Sequence, residues 1–220
     1  MPADNRAALL DLIATHSFKL GDFTLASGQK SDYYIDCRIT TLHAEGGRLS
    51  GLVFYDLIRD HVSNPETIEA VGGLTMGADP LVSNTASASA WALADYTEIR
   101  ALAADLELEP EEEPAPTLIH GFLVRKAEKT HGTGRKIEGF LKQGARVVIV
   151  DDVCTTGGST ITAIEAAREA GMTVAAVLCL VDREQGGRAK IEAVCAGAPF
   201  LAAFTAKDVR AAHIALKAGK

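Results

Sequence analysis

The chain has 220 residues, 47% of them apolar and 5% aromatic, and a net charge of −7. This excludes a disordered chain and suffices for one α/β domain whose core is mostly Ala, Val, Leu and Ile. The acidic balance argues against general nucleic-acid binding. With no apolar run of membrane-spanning length and no basic-then-apolar N-terminus, a soluble cytoplasmic protein without a membrane partner is expected.

Residues 5–16 read as an amphipathic helix with Leu9, Leu12 and Ile13 on one face. Residues 18–36 read as strand, Gly turn, strand. A second helix is expected over 44–62, with Leu49, Leu52, Val53, Leu57 and Ile58 on its buried side and Tyr55 at the edge. Residues 67–71 form a short strand ending at Gly72-Gly73. The run GGLTMGADP then sets Gly and Pro at a strand end, a candidate phosphate-contacting loop around Thr75 and Met76. An Ala/Ser-rich helix over 81–96 has side chains small enough to pack closely on a sheet.

The acidity is concentrated. Residues 97–116, TEIRALAADLELEPEEEPAP, hold seven acids and one Arg, a net of −6, which leaves −1 for the rest. Residues 101–108 could extend a helix, but three prolines punctuate residues 110–116, so the segment reads as an exposed surface insertion. Residues 118–124 read as a strand. The run RKAEKTHGTGRKIEG, 125–139, carries five Lys/Arg and three Gly and reads as a mobile basic loop.

The most informative run is VVIVDDVCTTGGS, 147–159. Four β-branched residues without polar alternation suit a strand buried on both faces of a parallel sheet. Asp151 and Asp152 follow, then Thr155-Thr156-Gly157-Gly158-Ser159 and a helix that stops at Gly171. A Gly/Ser/Thr turn between strand end and helix start gathers N–H groups and hydroxyls around one point, which binds phosphate. Carboxylates repel phosphate, so the acid pair makes sense if it holds sugar hydroxyls or acts near a magnesium ion carried by the substrate. A ribose 5-phosphate with a diphosphate leaving group fits both needs. Further strands are expected over 174–182 and 199–205, and Thr205 with Asp208 forms a capping box for a terminal helix.

Strands alternating with helices imply a central, mostly parallel sheet with helices on both faces, ligands sitting beyond the carboxyl ends of its strands. One domain is expected, with the first sixty or so residues as a small cap. Cys37, Cys154, Cys179 and Cys195 show no CxxC pairing and no His at metal-ligand spacing, so they read as reduced, structural thiols.

The 147–159 run resembles the signature of the type I phosphoribosyltransferases, which bind 5-phosphoribosyl 1-diphosphate (PRPP). Three further stretches resemble the orotate-specific members: FTLASGQKSDYY at 23–34, RKAEKTHG at 125–132 and VDRE at 181–184. The resemblance spans about residues 18–185 and omits the acidic segment. It implies the type I phosphoribosyltransferase fold with an N-terminal hood, transfer of the phosphoribosyl group to orotate in UMP biosynthesis, a magnesium cofactor, and a homodimer with shared sites. Residue by residue, it assigns Tyr34, Ile35, Thr155 and Arg183 to orotate. Arg125, Lys126, Lys129 and His131 go to the diphosphate, with Thr75 and Met76 bordering it. The run Asp151, Asp152, Val153, Cys154, Thr155, Thr156, Gly157, Gly158, Ser159 goes to the ribose 5-phosphate.

The catalytic set implied is Arg125, Lys126, Lys129, His131, Asp151 and Asp152. No direct protein ligand to magnesium is expected, since PRPP and water hold it. Ala26 and Met76 stand where some members carry lysines. A purine or xanthine phosphoribosyltransferase, or a PRPP-binding regulator on the same fold, are the alternatives left open by the residues.

Overall fold

The computed structural model describes residues 4–24, 30–108, 114–126, 136–195 and 197–219. The predicted first helix is α1, Asn5–Leu12, started by Asp4, whose carboxylate accepts from two backbone N–H groups. It passes into a π turn, Ile13–Ser17, instead of staying α-helical to residue 16. Strands β1 (Phe18–Thr24) and β2 (Lys30–Ile35) pair antiparallel as a separate two-stranded sheet. A four-residue helix that sequence reading did not find, α2 (Arg38–Thr41), leads into α3 (Ala44–His61).

Six strands form the main sheet: β3 (Ile68–Leu74), β4 (His120–Val124), β5 (Ile137–Gly139), β6 (Arg146–Cys154), β7 (Thr173–Asp182) and β8 (Phe200–Thr205). Their order is β5-β4-β3-β6-β7-β8, and only β5 runs antiparallel. Residues 137–139 are therefore strand, which corrects the expectation of one loop over 125–139. Pairing with β4 gives that short stretch backbone partners that a loop would lack. Residues 127–135, with Lys129 and His131, lie outside the described residues.

A second correction concerns the acidic segment. Helix α4 runs Asp79–Asp105, so the helix expected over 81–96 continues without a break through 97–105, taking in most of the 101–108 stretch read as able to extend a helix. The run is rich in Ala, Leu and Glu, strong helix formers, and its first proline comes only at Pro110. Beyond it, residues 114–117 return against the body and help line a cavity of about 500 Å³ with Tyr55 and Tyr96. Tyr55, expected at the helix edge, is buried.

The remaining helices are α5 (Gly158–Glu169), α6 (Gly187–Val194) and α7 (Ala206–Ala218). The capping box on α7 is formed as expected by Thr205 and Asp208. The alternation within β6 shows how the layers are filled. Val148 and Val150 join the core shared with α1, α3, α4 and α7, while Val147 and Ile149 join the core shared with α5 and α6. All four are essentially inaccessible to solvent, which is why the run has no polar residue. The helix α3, counted in the N-terminal cap from sequence, shares the core beneath the sheet.

Candidate active site

The sheet order reverses between β3 and β6. From β3 the chain goes on to β4 on one side, and from β6 to β7 on the other. Such a switch point opens a crevice at the carboxyl ends of the two strands. A cavity of about 630 Å³ lies there. Its walls are Leu74, Thr75, Met76 and Gly77 at and after the end of β3, Asp151, Asp152, Val153, Thr155 and Ser159 at and after the end of β6, and Arg183 after β7. The small sheet contributes Tyr34 and Ile35, followed by Asp36 and Arg38, and Lys126 stands at the entrance of the basic loop.

The structure thus brings together most of the residues expected from sequence. Four of the β6 loop stand outside the lining. Cys154 is buried beneath it, and Thr156, Gly157 and Gly158 form the turn into α5. Gly157 adopts φ 81° at the helix N-cap, a left-handed conformation that only glycine takes without strain. Arg125 is also outside the lining. Its backbone N–H donates to the Lys136 carbonyl at 3.0 Å and its guanidinium pairs with Glu138 at 3.5 Å, because β4 and β5 zip the base of the loop together.

Asp151 is buried and fixed: the Thr160 hydroxyl donates to it at 2.5 Å. Burial pushes its carboxyl up to about 7, the Thr160 bond opposing this and the Asp152 charge adding to it. Burial also raises Asp152, against the backbone hydrogen bonds it accepts and the nearby Arg38 charge, with Asp36 reinforcing the rise. Position 77 must be small. A Cβ there would collide with the Asp152 carboxylate, so glycine lets that carboxylate rest against the loop after β3.

Arg183 is only 8% exposed, which sets aside a surface arginine beside Asp182. Asp182 pairs instead with Arg188 at 3.2 Å. Arg183 lies over the Tyr33 ring, 4.7 Å from its centroid, and donates to the Tyr33 hydroxyl at 3.3 Å and the Ser31 hydroxyl at 3.2 Å. The small sheet therefore aims this guanidinium at the cavity. Sequence reading missed Tyr33 and Ser31 as its supports, and missed Asp36, Arg38 and Gly77 as cavity residues. The signal for two of them was the D-x-R spacing straight after a strand. Ala26 lies outside the described residues.

A family model described as a phosphoribosyl transferase domain matches residues 56–197. An orotate phosphoribosyltransferase of Synechocystis is 41% identical over 209 residues, covering 94% of this chain and 90% of its own. The chain belongs to the orotate phosphoribosyltransferase family. Solved relatives agree in fold. The orotate phosphoribosyltransferase of Mycobacterium tuberculosis, in complex with Fe(III) dicitrate, superposes with a TM-score of 0.69 at 33% identity, over 93% of this chain and 98% of that one. The same enzyme in complex with PRPP gives 0.66 at 30% identity, over 94% and 99%.

Proposed function

We propose that the chain transfers the 5-phosphoribosyl group of PRPP to orotate, giving orotidine 5′-monophosphate and diphosphate, the nucleotide step that leads to UMP. The observation that carries this is the one cavity at the switch point, where the β6 acid–hydroxyl loop and the clamped Arg183 face each other. The solved mycobacterial relative in complex with PRPP supports the donor.

The β6 loop and the start of α5 supply N–H groups and hydroxyls for the 5-phosphate. Asp151 and Asp152 accept the ribose hydroxyls. Arg183 presents its remaining N–H groups to the orotate carboxylate beside Tyr34 and Ile35. Breaking the anomeric C–O bond builds oxocarbenium character on the ribose and negative charge on the departing diphosphate. The backbone at Thr75 and Met76 and the cations Arg125, Lys126, Lys129 and His131 stabilise that departing charge. In this reading the basic run from Arg125 to His131 also keeps water from the oxocarbenium-like ribose. Magnesium fits the hard oxygen donors of Asp151 and Asp152, reached through water, and when bound with PRPP it neutralises diphosphate charge.

A homodimer in the cytoplasm is part of the same reading. The large apolar side chains of Ile39 on α2, Leu42 just after it, Met76 in the loop before α4 and Trp91 on α4 are exposed, and Asn84 ties α4 to α2 through the Thr41 carbonyl at 3.3 Å. Loss of orotate absorbance with PRPP and magnesium tests the activity. Orotate left unchanged while a purine base is consumed would reassign the acceptor.

A further inference from the structure

Arg183 is held at both ends, and the small sheet accounts for only one of them. Tyr33 and Ser31 take its Nε N–H and one Nη2 N–H, which leaves three of its five N–H groups, at least one on each terminal nitrogen. The backbone end is fixed by residues outside the cavity lining. Strands β6, β7 and β8 end in register, at Cys154, Asp182 and Thr205. Arg183 comes next, and its N–H donates back to the Cys154 carbonyl at 2.9 Å. The chain then reverses. Glu184 takes φ 56°, a left-handed conformation that residues other than glycine seldom adopt, and its N–H donates to Asp182 Oδ1 at 2.8 Å. Asp182 Oδ2 accepts from Arg188 Nε at 3.2 Å. Arg188, on α6, lies 4.5 Å from the centre of the Phe200 ring and donates from Nη1 to the Phe200 carbonyl at 3.1 Å. The Asp182 side chain is only 3% exposed, so these bonds are made by a buried carboxylate. Gly187 closes the turn. A Cβ there would run into the Thr155 carbonyl, so the turn rests directly on the loop after β6.

We propose that Asp182 and Arg188 are positioning residues for the acceptor, acting through Arg183. They fix its backbone while the small sheet fixes the plane of its guanidinium. Together they turn one N–H of each terminal nitrogen toward the orotate carboxylate. The inference deepens the function proposed above and rests on it. Neither Asp182 nor Arg188 lines the cavity, so their effect on the acceptor is indirect. Its physical basis is preorganisation. A free arginine loses rotamer freedom when it meets a carboxylate, whereas one mounted at both ends has lost it already, so more of the pairing appears as affinity. A bidentate pair also needs both bonds in one plane, and a tilted turn forfeits one of them. The brace therefore acts on recognition of the carboxylate and not on the ribose 5-phosphate, whose loop is held by β6 and α5.

The test compares two nucleotides that differ only by that carboxylate, orotidine 5′-monophosphate and UMP, by calorimetry on the full chain. Arg188 is 44% exposed, which makes it the variant that disturbs the core least. For Arg188→Gln the Kd of orotidine 5′-monophosphate is expected to rise about tenfold while that of UMP stays within about twofold. In steady-state kinetics the orotate KM rises with it, and the PRPP KM stays within about twofold. Arg188→Lys recovers only part of the loss, since an ammonium lacks the fork that spans Asp182 and the Phe200 carbonyl. In an Arg183→Gln chain the preference for orotidine 5′-monophosphate falls away, and adding Arg188→Gln weakens its binding by less than about twofold, because nothing remains to be positioned. Asp182→Ala is expected to act as Arg188→Gln does, more strongly, and if it does not fold Arg188→Gln decides alone. Equal weakening of both nucleotides by Arg188→Gln overturns the proposal, as does the full loss recurring in the Arg183→Gln chain. A parent that prefers orotidine 5′-monophosphate by a margin Arg188→Gln leaves unmoved overturns the brace alone. A parent that binds UMP as tightly as orotidine 5′-monophosphate overturns the acceptor reading, and the brace with it.

Discussion

Asp151 places a carboxyl at a largely buried edge of the cavity, and this has consequences for stability as well as catalysis. Its folded pKa is about 7 against 3.8 unperturbed, chiefly through burial. Below about pH 4 the group is neutral in both states and folding feels no penalty. Between about pH 4 and 7 unfolding releases the proton, so raising the pH favours the unfolded chain, and above that range the whole penalty persists. Asp151→Asn keeps the shape and can still accept from Thr160. The variant is therefore expected to be more stable than the parent at pH 8, by about 1–2 kcal/mol or roughly 3–6 °C in Tm, the gain fading toward pH 4. It is also expected to lose most PRPP turnover. Melting curves at both pH values with the orotate assay check this, and equal stability at pH 8 would show that Asp151 carries no buried charge. Gly77→Ala acts at the same wall from outside. Its new methyl displaces the Asp152 carboxylate, so the PRPP KM is expected to rise by about tenfold or more with little change in Tm, read by steady-state kinetics.

At the scale of elements, α4 redraws the acidic segment. Residues 97–105 are helix, and 114–117 line a cavity with Tyr55, Tyr96 and Pro65. The removable part is therefore narrower than the 97–116 stretch that composition marks. Replacing 107–113 with a short Gly/Ser link is expected to leave Tm within about 2 °C and activity unchanged, because loop-closure entropy varies slowly with length. Deleting 97–116 entirely is expected to lower Tm by several degrees, since it strips the cover from Tyr55 and Ile119. Thermal melts of the two deletions separate these cases, and equal melts would show that the prolines hold nothing in place. The same element shows how far sequence reading could reach. The β6 run was legible because both faces are buried and every residue reports it. The end of α4 was legible only in part, through the helix-forming 101–108 stretch, because an exposed helix needs propensity and not an apolar stripe. β5 was too short to carry a period, and α2 and α6 are single- or double-turn pieces set by tertiary packing. At the site, the loops were legible from residue type. Asp36 and Arg38 were not, because their role depends on a cavity that only the crossing of two sheets creates.

For the whole molecule, the question is whether one chain makes one site. Lys126 lines the cavity, but the loop it begins carries on through Lys129 in residues outside those described. In the proposed dimer the loop of one protomer serves the cavity of the other. Ile39, Leu42, Met76 and Trp91 each leave a large apolar side chain exposed, surface that a partner protomer would bury at a gain. Mixing tests the arrangement without a structure of the pair. Lys129→Ala removes the loop cation and Asp152→Asn removes the acceptor of ribose hydroxyls, so each variant alone is expected to be nearly inactive. Co-refolded in equal amounts, about half of the dimers are mixed, and each mixed dimer holds one site with an intact loop and an intact acid. Activity is then expected to return to about a quarter of the parent value. The measurement is orotate consumption by the co-refolded sample against the two separate ones. No recovery, with mixed dimers confirmed by mass spectrometry, would mean that each loop closes over its own cavity. Any contact between protomers would then leave each site to its own chain.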